Sequence, residues 1–442
     1  MTPGARIKAV IDVLEIILSA KSPADQQITN YFRNHRYIGS TDRRAIAERT
    51  YQVLRQFQHL NWLSQTLTKQ DDAPTHLLVA LHLRYHANFS LLDIDQIFNG
   101  TQYHPECLNK RELYLIKTDI SELTPPIWAQ LNLPEWLMPF FEENFPQSLE
   151  SELAALNEAA PLDLRVNCLK IDRRDVLEQL SFEAITASPT PWSPFGIRLP
   201  QRRPLPTHPL WQDGFIEVQD EGSQLIALLS DARPGMNVVD FCAGAGGKTL
   251  AMAATMNNQG KIICMDTIEW RLKRAKERFR RAGIHNAECR TLDEAGYKWL
   301  KRQSVRFDRV LVDAPCSGTG TWRRNPDLKL RFSQNDLDEL VQKQADILDT
   351  ASKLVKPFGR LIYATCSVLK NENDLQINRF LETHPDFELV PIQQVWNELF
   401  DIDCPVKGKT LQLTPAQHQV DGFFCAVLMK RENKIEEDTF HE

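Results

Sequence analysis

Residues 238–249 of this 442-residue chain read VVDFCAGAGGKT and indicate its fold class. An apolar, β-branched strand runs into a glycine-rich turn, and the turn leads directly into a helix. Glycines let the backbone approach a ligand closely, and the first turn of a helix presents unpaired N–H groups. The stretch therefore predicts a binding loop at the carboxyl end of the first strand of an α/β sheet.

Three kinds of nucleotide loop could account for this stretch. A Walker A loop fits residues 247–249 but requires a glycine where Cys242 stands. A dinucleotide fingerprint fits Gly244 and Gly246 but requires a third glycine where Thr249 stands. The third kind is the shorter loop of a methyltransferase, which binds S-adenosylmethionine (SAM) and holds no pyrophosphate.

Asp266 favours the methyltransferase loop. It ends the next strand, KIICMD (261–266), about 20 residues further along, where an acid accepts hydrogen bonds from ribose hydroxyls. The alternative is a plain tight turn followed by an unrelated surface aspartate.

Strands alternate with helices from about residue 219 onward. Apolar β-branched strands separated by helices predict a mostly parallel sheet that is covered on both faces. We assign strands to 237–241, 261–266, 307–314, 359–365 and 423–430, and helices to 247–257, 269–283, 335–355 and 371–383. The predicted fold class is α/β, with a Rossmann-like catalytic domain.

The residues before this sheet differ from it in glycine content and in the period of their apolar residues. Residues 1–125 contain few glycines and show helical periods, such as Val10, Val13, Leu14 and Ile17 on one face. The predicted domains are an all-α domain at 1–125, a helical linker at 126–160, a small α+β subdomain at 161–218, the catalytic domain at 219–432 and a charged tail at 433–442.

Composition places the chain among globular proteins, with 42 % hydrophobic and 25 % charged residues. Its net charge of −6 argues against indiscriminate nucleic-acid binding, although a local basic face remains compatible with it. Nine cysteines without zinc-type spacing predict reduced thiols, no metal site and a cytoplasmic protein. The apolar run at 9–20 contains Asp12 and Glu15 and is too short to span a bilayer, so we expect no membrane partner.

Two thiols follow neighbouring predicted strands. Asp313 and Cys316 lie in the loop DAPCSGTGTWRRNPD (313–327), and Cys366 ends the following strand in ATCSV (364–368). The carboxyl ends of parallel strands meet at one edge of the sheet, where the sites of open α/β sheets lie. A lone cysteine beside a strand is more often a core residue, but two thiols beside a SAM loop indicate catalysis.

Two segments could contact RNA. The helix WRLKRAKERFRR (270–281) is rich in basic residues, although a charge run of this kind is often a solvated face. Trp322, Arg323 and Arg324 follow the Cys316 loop and combine an aromatic ring for stacking with cations for phosphates. We therefore predict that these three residues bind RNA.

Several spaced motifs resemble the RsmB/Sun family of RNA (cytosine-5) methyltransferases. They are VVDFCAGAGGKT, LVDAPCSGTGTWRRNPD, YATCS, QDEGSQL (219–225) and DGFF (421–424), and the resemblance covers roughly 160–430. Loops of that family often read Ala-Pro-Gly-Gly-Lys, and Ala245 stands here in place of the proline. The N-terminal block, with RYIGSTDRR (36–44), resembles the NusB-like domain of bacterial rRNA members, and the small α+β subdomain resembles an RRM-like fold.

The resemblance implies a role for each of the singled-out residues. SAM would be the cofactor, held by Cys242, Ala243, Gly244, Ala245, Gly246, Gly247, Lys248, Asp266, Asp293 and Asp313. Cys366 would be the nucleophile that adds to carbon 6 of cytosine, because carbon 5 alone is a poor nucleophile. Cys316 would help to remove the carbon-5 proton or release the product, and Asp313 would hold the N3/N4 edge of the ring. Lys248 would face the base, and Asp293 would contact the adenine unless it is a solvated loop residue.

The sequence thus predicts a SAM-dependent RNA (cytosine-5) methyltransferase that acts on small-subunit (16S) rRNA through a covalent Cys–cytosine intermediate. The alternatives are a tRNA-directed relative with the same site and a non-catalytic RNA-binding assembly factor. The presence of both thiols and all three acids argues against a loss of catalysis. The missing first glycine argues against a P-loop NTPase, and the sequence implies no obligatory protein partner.

Overall fold

The computed structural model describes residues 1–20, 22–69, 73–201, 203 and 205–432. The chain divides into two units, of which the first comprises Met1–Ala159 and Thr321–Gln334 and the second comprises Ala160–Gly320 and Asn335–Glu442. The predicted charged tail at 433–442 lies outside the described residues.

The first unit is helical. Its helices before the second unit begins are α1 (Pro3–Ser19), α2 (Ala24–Asn34), α3 (Ser40–Arg55), α4 (Phe57–Thr68), α5 (Thr75–Tyr85), α6 (Leu91–Ile97), α7 (Lys110–Lys117), α8 (Ile127–Gln130), α9 (Met138–Asn144) and α10 (Leu149–Asn157). The stripe of Val10, Val13, Leu14 and Ile17 on α1 is buried in the core of this unit, as its spacing predicts. Among the described residues, no helix is both long and apolar enough to cross a membrane.

The second unit begins with a four-stranded antiparallel sheet in the order β2–β3–β1–β4. Its elements are β1 (Leu162–Val166), α11 (Arg173–Phe182), β2 (Ser188–Pro189), β3 (Gly196–Leu199), α12 (Pro209–Gln212) and β4 (Ile216–Val218). Val176 and Leu180 of α11 pack against Leu164 of the central strand β1 and Ile197 of β3. This is the small α+β fold that the sequence predicts before the catalytic domain.

A second sheet forms the rest of this unit, in the order β10–β12–β9–β8–β5–β6–β7 with β11 paired to β12. The strands are β5 (Asn237–Asp240), β6 (Lys261–Asp266), β7 (Ala287–Thr291), β8 (Phe307–Asp313), β9 (Val355–Thr365), β10 (Phe387–Val390), β11 (Leu411–Leu413) and β12 (Phe423–Lys430). The helices are α13 (Glu221–Leu229), α14 (Gly247–Thr255), α15 (Glu269–Ala282), α16 (Glu294–Leu300), α17 (Leu328–Arg331, in the first unit), α18 (Gln334–Ser352), α19 (Asp374–Thr383), α20 (Ile392–Leu399) and α21 (Pro415–His418). Strands β5 to β9 pair in parallel and β12 pairs antiparallel with β9, which confirms the predicted mostly parallel α/β sheet.

The segment Thr321–Gln334 belongs to the first unit, although the sequence prediction places it in the catalytic domain. The ring of Trp322 is 1 % exposed and stacks on Phe141 of α9 with 5.4 Å between ring centroids. Asp327 accepts a hydrogen bond of 3.1 Å from the backbone N–H of Ala24, at the start of α2. Tertiary packing therefore assigns this segment to the helical core rather than to the sheet.

Candidate active site

The glycine loop joins β5 to α14 through two residues in the left-handed region. Gly244 has a φ of +55° and Gly246 a φ of +77°, values that residues with a Cβ rarely adopt. A Cβ on Gly246 would lie 2.6 Å from the ring of Phe279 on α15, whereas a Cβ on Gly244 would meet open space. Gly246 is thus required for helix packing, and Gly244 faces room that a ligand can enter.

Asp266, at the end of β6, holds this loop in place. Its Oδ2 accepts a hydrogen bond of 2.9 Å from the N–H of Gly244, and its Oδ1 accepts one of 2.8 Å from the N–H of Ile268. Each carboxylate oxygen carries a second lone pair. Asp266 can therefore orient the loop and still accept hydrogen bonds from a ligand.

A cavity of about 510 Å³ opens beside the loop and Asp266. Its walls include Phe241, Leu292, Tyr297 and Ile347, which offer apolar and aromatic surface. Asp266, Asp313 and Asp346 supply the acids of the lining, and Arg271 and Lys343 supply its cations. A cavity that combines apolar and aromatic walls with charged groups is typical of a site for a small molecule or cofactor that has both kinds of surface.

The register of the sheet brings the two predicted thiols together. Asp313 of β8 lies opposite Ala364 of β9 in the parallel pairing, and one thiol follows shortly after each of these residues. The Sγ atoms of Cys316 and Cys366 lie 3.4 Å apart, within hydrogen-bond distance for sulfur. Two residues from distant parts of the sequence thus form one thiol pair at the carboxyl edge of the sheet.

The two thiols lie in different electrostatic surroundings. The hydrogen bond to Cys366, followed by burial and the charge of Glu372, raises the pKa of Cys316 well above its usual range. Burial lowers the pKa of Lys248, but the attraction and hydrogen bond of Asp313, followed by the attraction of Asp240, outweigh it and leave that pKa raised. Lys248 Nζ donates a hydrogen bond of 2.6 Å to Asp313 Oδ2. Cys316 therefore keeps its proton and can donate a hydrogen bond to the Cys366 sulfur.

Comparison with known proteins identifies the family. The profile of the 16S rRNA methyltransferases RsmB/F matches residues 227–429, and that of the RsmF/B-like ferredoxin-like domain matches residues 133–206. The ribosomal RNA small subunit methyltransferase B of Photorhabdus laumondii is 37 % identical over 299 residues, which are 67 % of this chain and 66 % of that protein. A probable ribosomal RNA small subunit methyltransferase B of Synechocystis sp. is 34 % identical over 305 residues, 68 % of this chain and 67 % of that protein. The chain belongs to the RsmB/F family.

Similarity to a solved structure extends beyond the aligned sequence. The crystal structure of PH0851 has a TM-score of 0.79 with 27 % identity, over 97 % of this chain and 99 % of that one. The sequence alignments with the two curated relatives span about two thirds of their lengths. The predicted family and fold class are confirmed.

The RsmB/F family uses SAM, and the cavity beside β5 and β6 fits this cofactor. Asp266 offers acceptor oxygens to a ribose diol, and the open space at Gly244 admits close backbone approach. The apolar walls at Phe241, Leu292 and Ile347 suit an adenine ring. Cys242 and Asp313, both predicted cofactor residues, line the same cavity.

Asp293, unlike Cys242 and Asp313, does not line the cavity of this RsmB/F chain. Its exposed side chain accepts a hydrogen bond of 2.8 Å from the N–H of Gly296 and thereby caps α16. Its neighbour Leu292 and the helix residue Tyr297 line the cavity. The capping contact accounts for Asp293 without a ligand, and its contact with adenine stays a prediction.

Sequence reasoning missed a buried carboxylate that connects the two thiol loops. Glu372 is fully buried, and its Oε1 accepts hydrogen bonds from Ser317 N at 2.8 Å and from Gln344 Nε2 at 3.0 Å. Its Oε2 accepts hydrogen bonds of 2.5 Å from the hydroxyls of Ser317 and Ser367. These serines directly follow Cys316 and Cys366, so one side chain fixes both loops. The sequence offers one indication of this role, an acid six residues after Cys366. That acid lies in a stretch that also fits the start of a helix.

Asp240, the last residue of β5, lies buried beneath the glycine loop. Its Oδ2 accepts a hydrogen bond of 2.6 Å from the hydroxyl of Thr249, whereas Oδ1 has no hydrogen-bond partner within the described part of the chain. Burial raises the pKa of Asp240 to about 7. The carboxyl therefore holds its proton far above the usual range of an aspartate.

The structure corrects the predicted RNA-binding segment. Trp322 is buried against Phe141, with Lys329 Nζ 5.0 Å from the centre of its ring, so no base can stack on it. The side chain of Arg323 is also buried, and its carbonyl accepts a hydrogen bond of 2.9 Å from Arg55. The prediction that Trp322 and Arg323 form an RNA-facing surface is wrong because tertiary packing uses them, while a role of the half-buried Arg324 stays a prediction.

Proposed function

We propose that this protein transfers a methyl group from SAM to carbon 5 of a cytosine in small-subunit (16S) rRNA. The reaction proceeds through a covalent bond between Cys366 and the base. The observation that carries the proposal is the thiol pair, with Sγ atoms 3.4 Å apart beside a cavity that fits SAM. Family membership supports rRNA as the substrate, and a free thiol pair suits the reducing cytoplasm.

Cys366 begins the reaction. Carbon 5 of cytosine becomes nucleophilic only when a thiolate adds to carbon 6 and places an electron pair in the ring. The hydrogen bond to Cys366, together with burial and the charge of Glu372, keeps Cys316 protonated, so we assign the addition to Cys366. The cofactor supplies the methyl group that carbon 5 then accepts.

Asp313 holds the base during this step. Its Oδ2 is fixed by Lys248 at 2.6 Å, which leaves the rest of the carboxylate to accept a hydrogen bond from the N4 amino group on the N3/N4 edge of the ring. A charged acceptor at this edge stabilises the positive character that develops on the N4 amino group when the electron pair at carbon 5 attacks the methyl group. Lys248 thus positions Asp313 beside the base.

Cys316 completes the reaction. Transfer of the carbon-5 proton to solvent water re-forms the ring double bond, and the electron pair of the breaking S–C bond leaves with Cys366 as a thiolate. Cys316 has an S–H group within hydrogen-bond reach of that sulfur and stabilises the leaving thiolate. Without this donor, we expect the methylated base to stay attached to Cys366.

The direct test is methylation of RNA transcribed in vitro, with SAM that carries a labelled methyl group. We expect 5-methylcytidine in 16S rRNA and none in transfer RNA, as resolved by mass spectrometry of the nucleosides. The matched control is Cys425→Ala, a change at a buried core thiol of β12 that no step uses. A label on another atom, or equal labelling by Cys366→Ala, contradicts the proposal.

A further inference from the structure

Helix α15 concentrates positive charge in a chain of net charge −6. Seven of its 14 residues are Lys or Arg, and two are Glu. Its buried side consists of Leu272, Ala275, Phe279 and Ala282, which pack in the core of the second unit. The cations therefore occupy the remaining, outward surface of the helix.

Among the residues that the structure describes, ion pairs account for three of the seven cations. Arg278 and Arg281 pair with the buried Glu217 of β4, and Lys273 pairs with Glu269 at 3.0 Å. The other four are exposed and pair with no acidic side chain of the residues that the structure describes: Arg271, Arg274, Lys276 and Arg280. Partial pairing leaves a net excess of positive charge on the solvent side.

The unpaired cations divide between two sides of the helix. At about 100° per residue, Trp270, Arg271 and Arg274 share one side, and Lys276 and Arg280 share the other. We name the first set the Trp270 flank. The indole of Trp270 is 55 % exposed, and the guanidinium carbons of Arg271 and Arg274 lie 5.8 Å and 6.0 Å from its ring centre.

The Trp270 flank lies at the end of α15 that borders the cofactor cavity. Arg271 itself lines that cavity, together with Ile268 and Asp266 before the helix. A base that enters the active site must reach this same carboxyl edge of the sheet, where the thiols also lie. The nucleotides next to that base therefore pass close to this end of the helix.

We propose that the Trp270 flank is a contact surface for single-stranded RNA beside the nucleotide to be methylated, an inference that rests on the proposed function. An exposed indole offers a stacking face to an unpaired base, and guanidinium groups bind phosphate. The combination matches the stacking and charge requirements of single-stranded RNA. An acidic protein partner would need the charges but would gain little from the exposed ring between them.

The test uses the full-length protein without SAM, a short fluorescent single-stranded RNA and an unmodified 16S rRNA transcript as probes. We expect Trp270→Ala to weaken binding about 5- to 150-fold, the range for loss of one stacked base, and Trp270→Phe to retain most of it. Arg274→Gln should lower the slope of log affinity against log salt by about 0.7, the value for one phosphate contact on a single strand. The matched control, Lys276→Gln, changes the same charge on the other side of the helix and should alter affinity and slope less.

Two results would overturn the Trp270 flank. One is wild-type affinity and salt slope in both Trp270→Ala and Arg274→Gln, and the other is an equal loss in Lys276→Gln. Calorimetry with SAM verifies that each variant is folded. If the wild type forms 5-methylcytidine while the flank variants bind RNA normally, the proposed RNA contact of the Trp270 flank is wrong and the proposed function is supported. If the flank variants lose RNA binding but the wild type forms no 5-methylcytidine, the proposed function is wrong and the RNA contact of the Trp270 flank is supported.

Discussion

Glu372 offers a quantitative test of how the two thiol loops are held together. Glu372→Ala removes the acceptor of four hydrogen bonds and leaves Ser317 N–H and one N–H of Gln344 without a partner. Each buried donor left unpaired costs about 1–3 kcal/mol. We therefore expect a loss of about 3–6 kcal/mol in the free energy of unfolding, including the cavity left by the side chain.

Glu372→Gln separates the hydrogen bonds from the charge. The amide oxygen can still accept from Ser317 N and Gln344 Nε2, and the amide nitrogen can donate to the hydroxyls of Ser317 and Ser367. What is lost is the extra strength of bonds to a charged group, for which we expect about 1–3 kcal/mol. The difference in the free energy of unfolding between the two variants therefore measures the cost of leaving the buried donors unpaired.

Urea unfolding of both variants measures these losses in the free energy of unfolding. The matched control is Glu382→Ala, on the exposed side of α19, for which we expect a change within about 0.5 kcal/mol. In the same preparations we expect Glu372→Ala to lower kcat while the affinity for SAM stays near that of the wild type, because Glu372 does not line the cofactor cavity. A loss in Glu372→Ala as small as that in the control would refute the reasoning. So would full methylation activity in a folded Glu372→Ala variant.

Two further predictions concern the cofactor loop and its pH dependence. Asp266→Ala should weaken SAM binding by about 1.5–3 kcal/mol through loss of a charged acceptor, and calorimetry that shows unchanged affinity would contradict the assignment of the ribose acid. The folded pKa of Asp240 is raised to about 7, so between about pH 4 and pH 7 the folded state keeps a proton that the unfolded chain releases, and stability falls as the pH rises. Asp240→Asn should remove up to a few kcal/mol of that fall in urea unfolding, and parallel pH profiles of variant and wild type would contradict the raised pKa.

The elements that sequence patterns locate are those with strong apolar runs. Strand β6 matches its predicted bounds of 261–266, because five of its six residues are buried. Strand β7 (AECRT) was missed, since it lies at the sheet edge and all its residues are half-buried, which removes the apolar signal. Strand β9 begins at Val355 rather than 359, because a register shift near Phe307 extends its pairing with β8.

Site residues follow the same division between local and tertiary information. The position of Asp266, Asp313 and the two thiols at one edge of the sheet could be predicted because each lies at a strand end, and strand ends of a parallel sheet converge. Glu372 could not, because its partner Ser317 is 55 residues away and neither has a distinctive local pattern. Trp322 and Arg323 have the composition of a surface segment, but their packing partners, Phe141 and Arg55, lie far away in sequence.

The division of labour between the two thiols is tested most directly by trapping the covalent intermediate. Cys316→Ala, incubated with SAM and 16S rRNA and then denatured, should show a protein–RNA band that nuclease treatment removes. Cys366→Ala and the double variant should show no such band and no methylation, because the nucleophile is absent. A band in Cys366→Ala would reverse the two roles. Full methylation with no band in either single variant would mean that the thiols are structural and that the account is wrong.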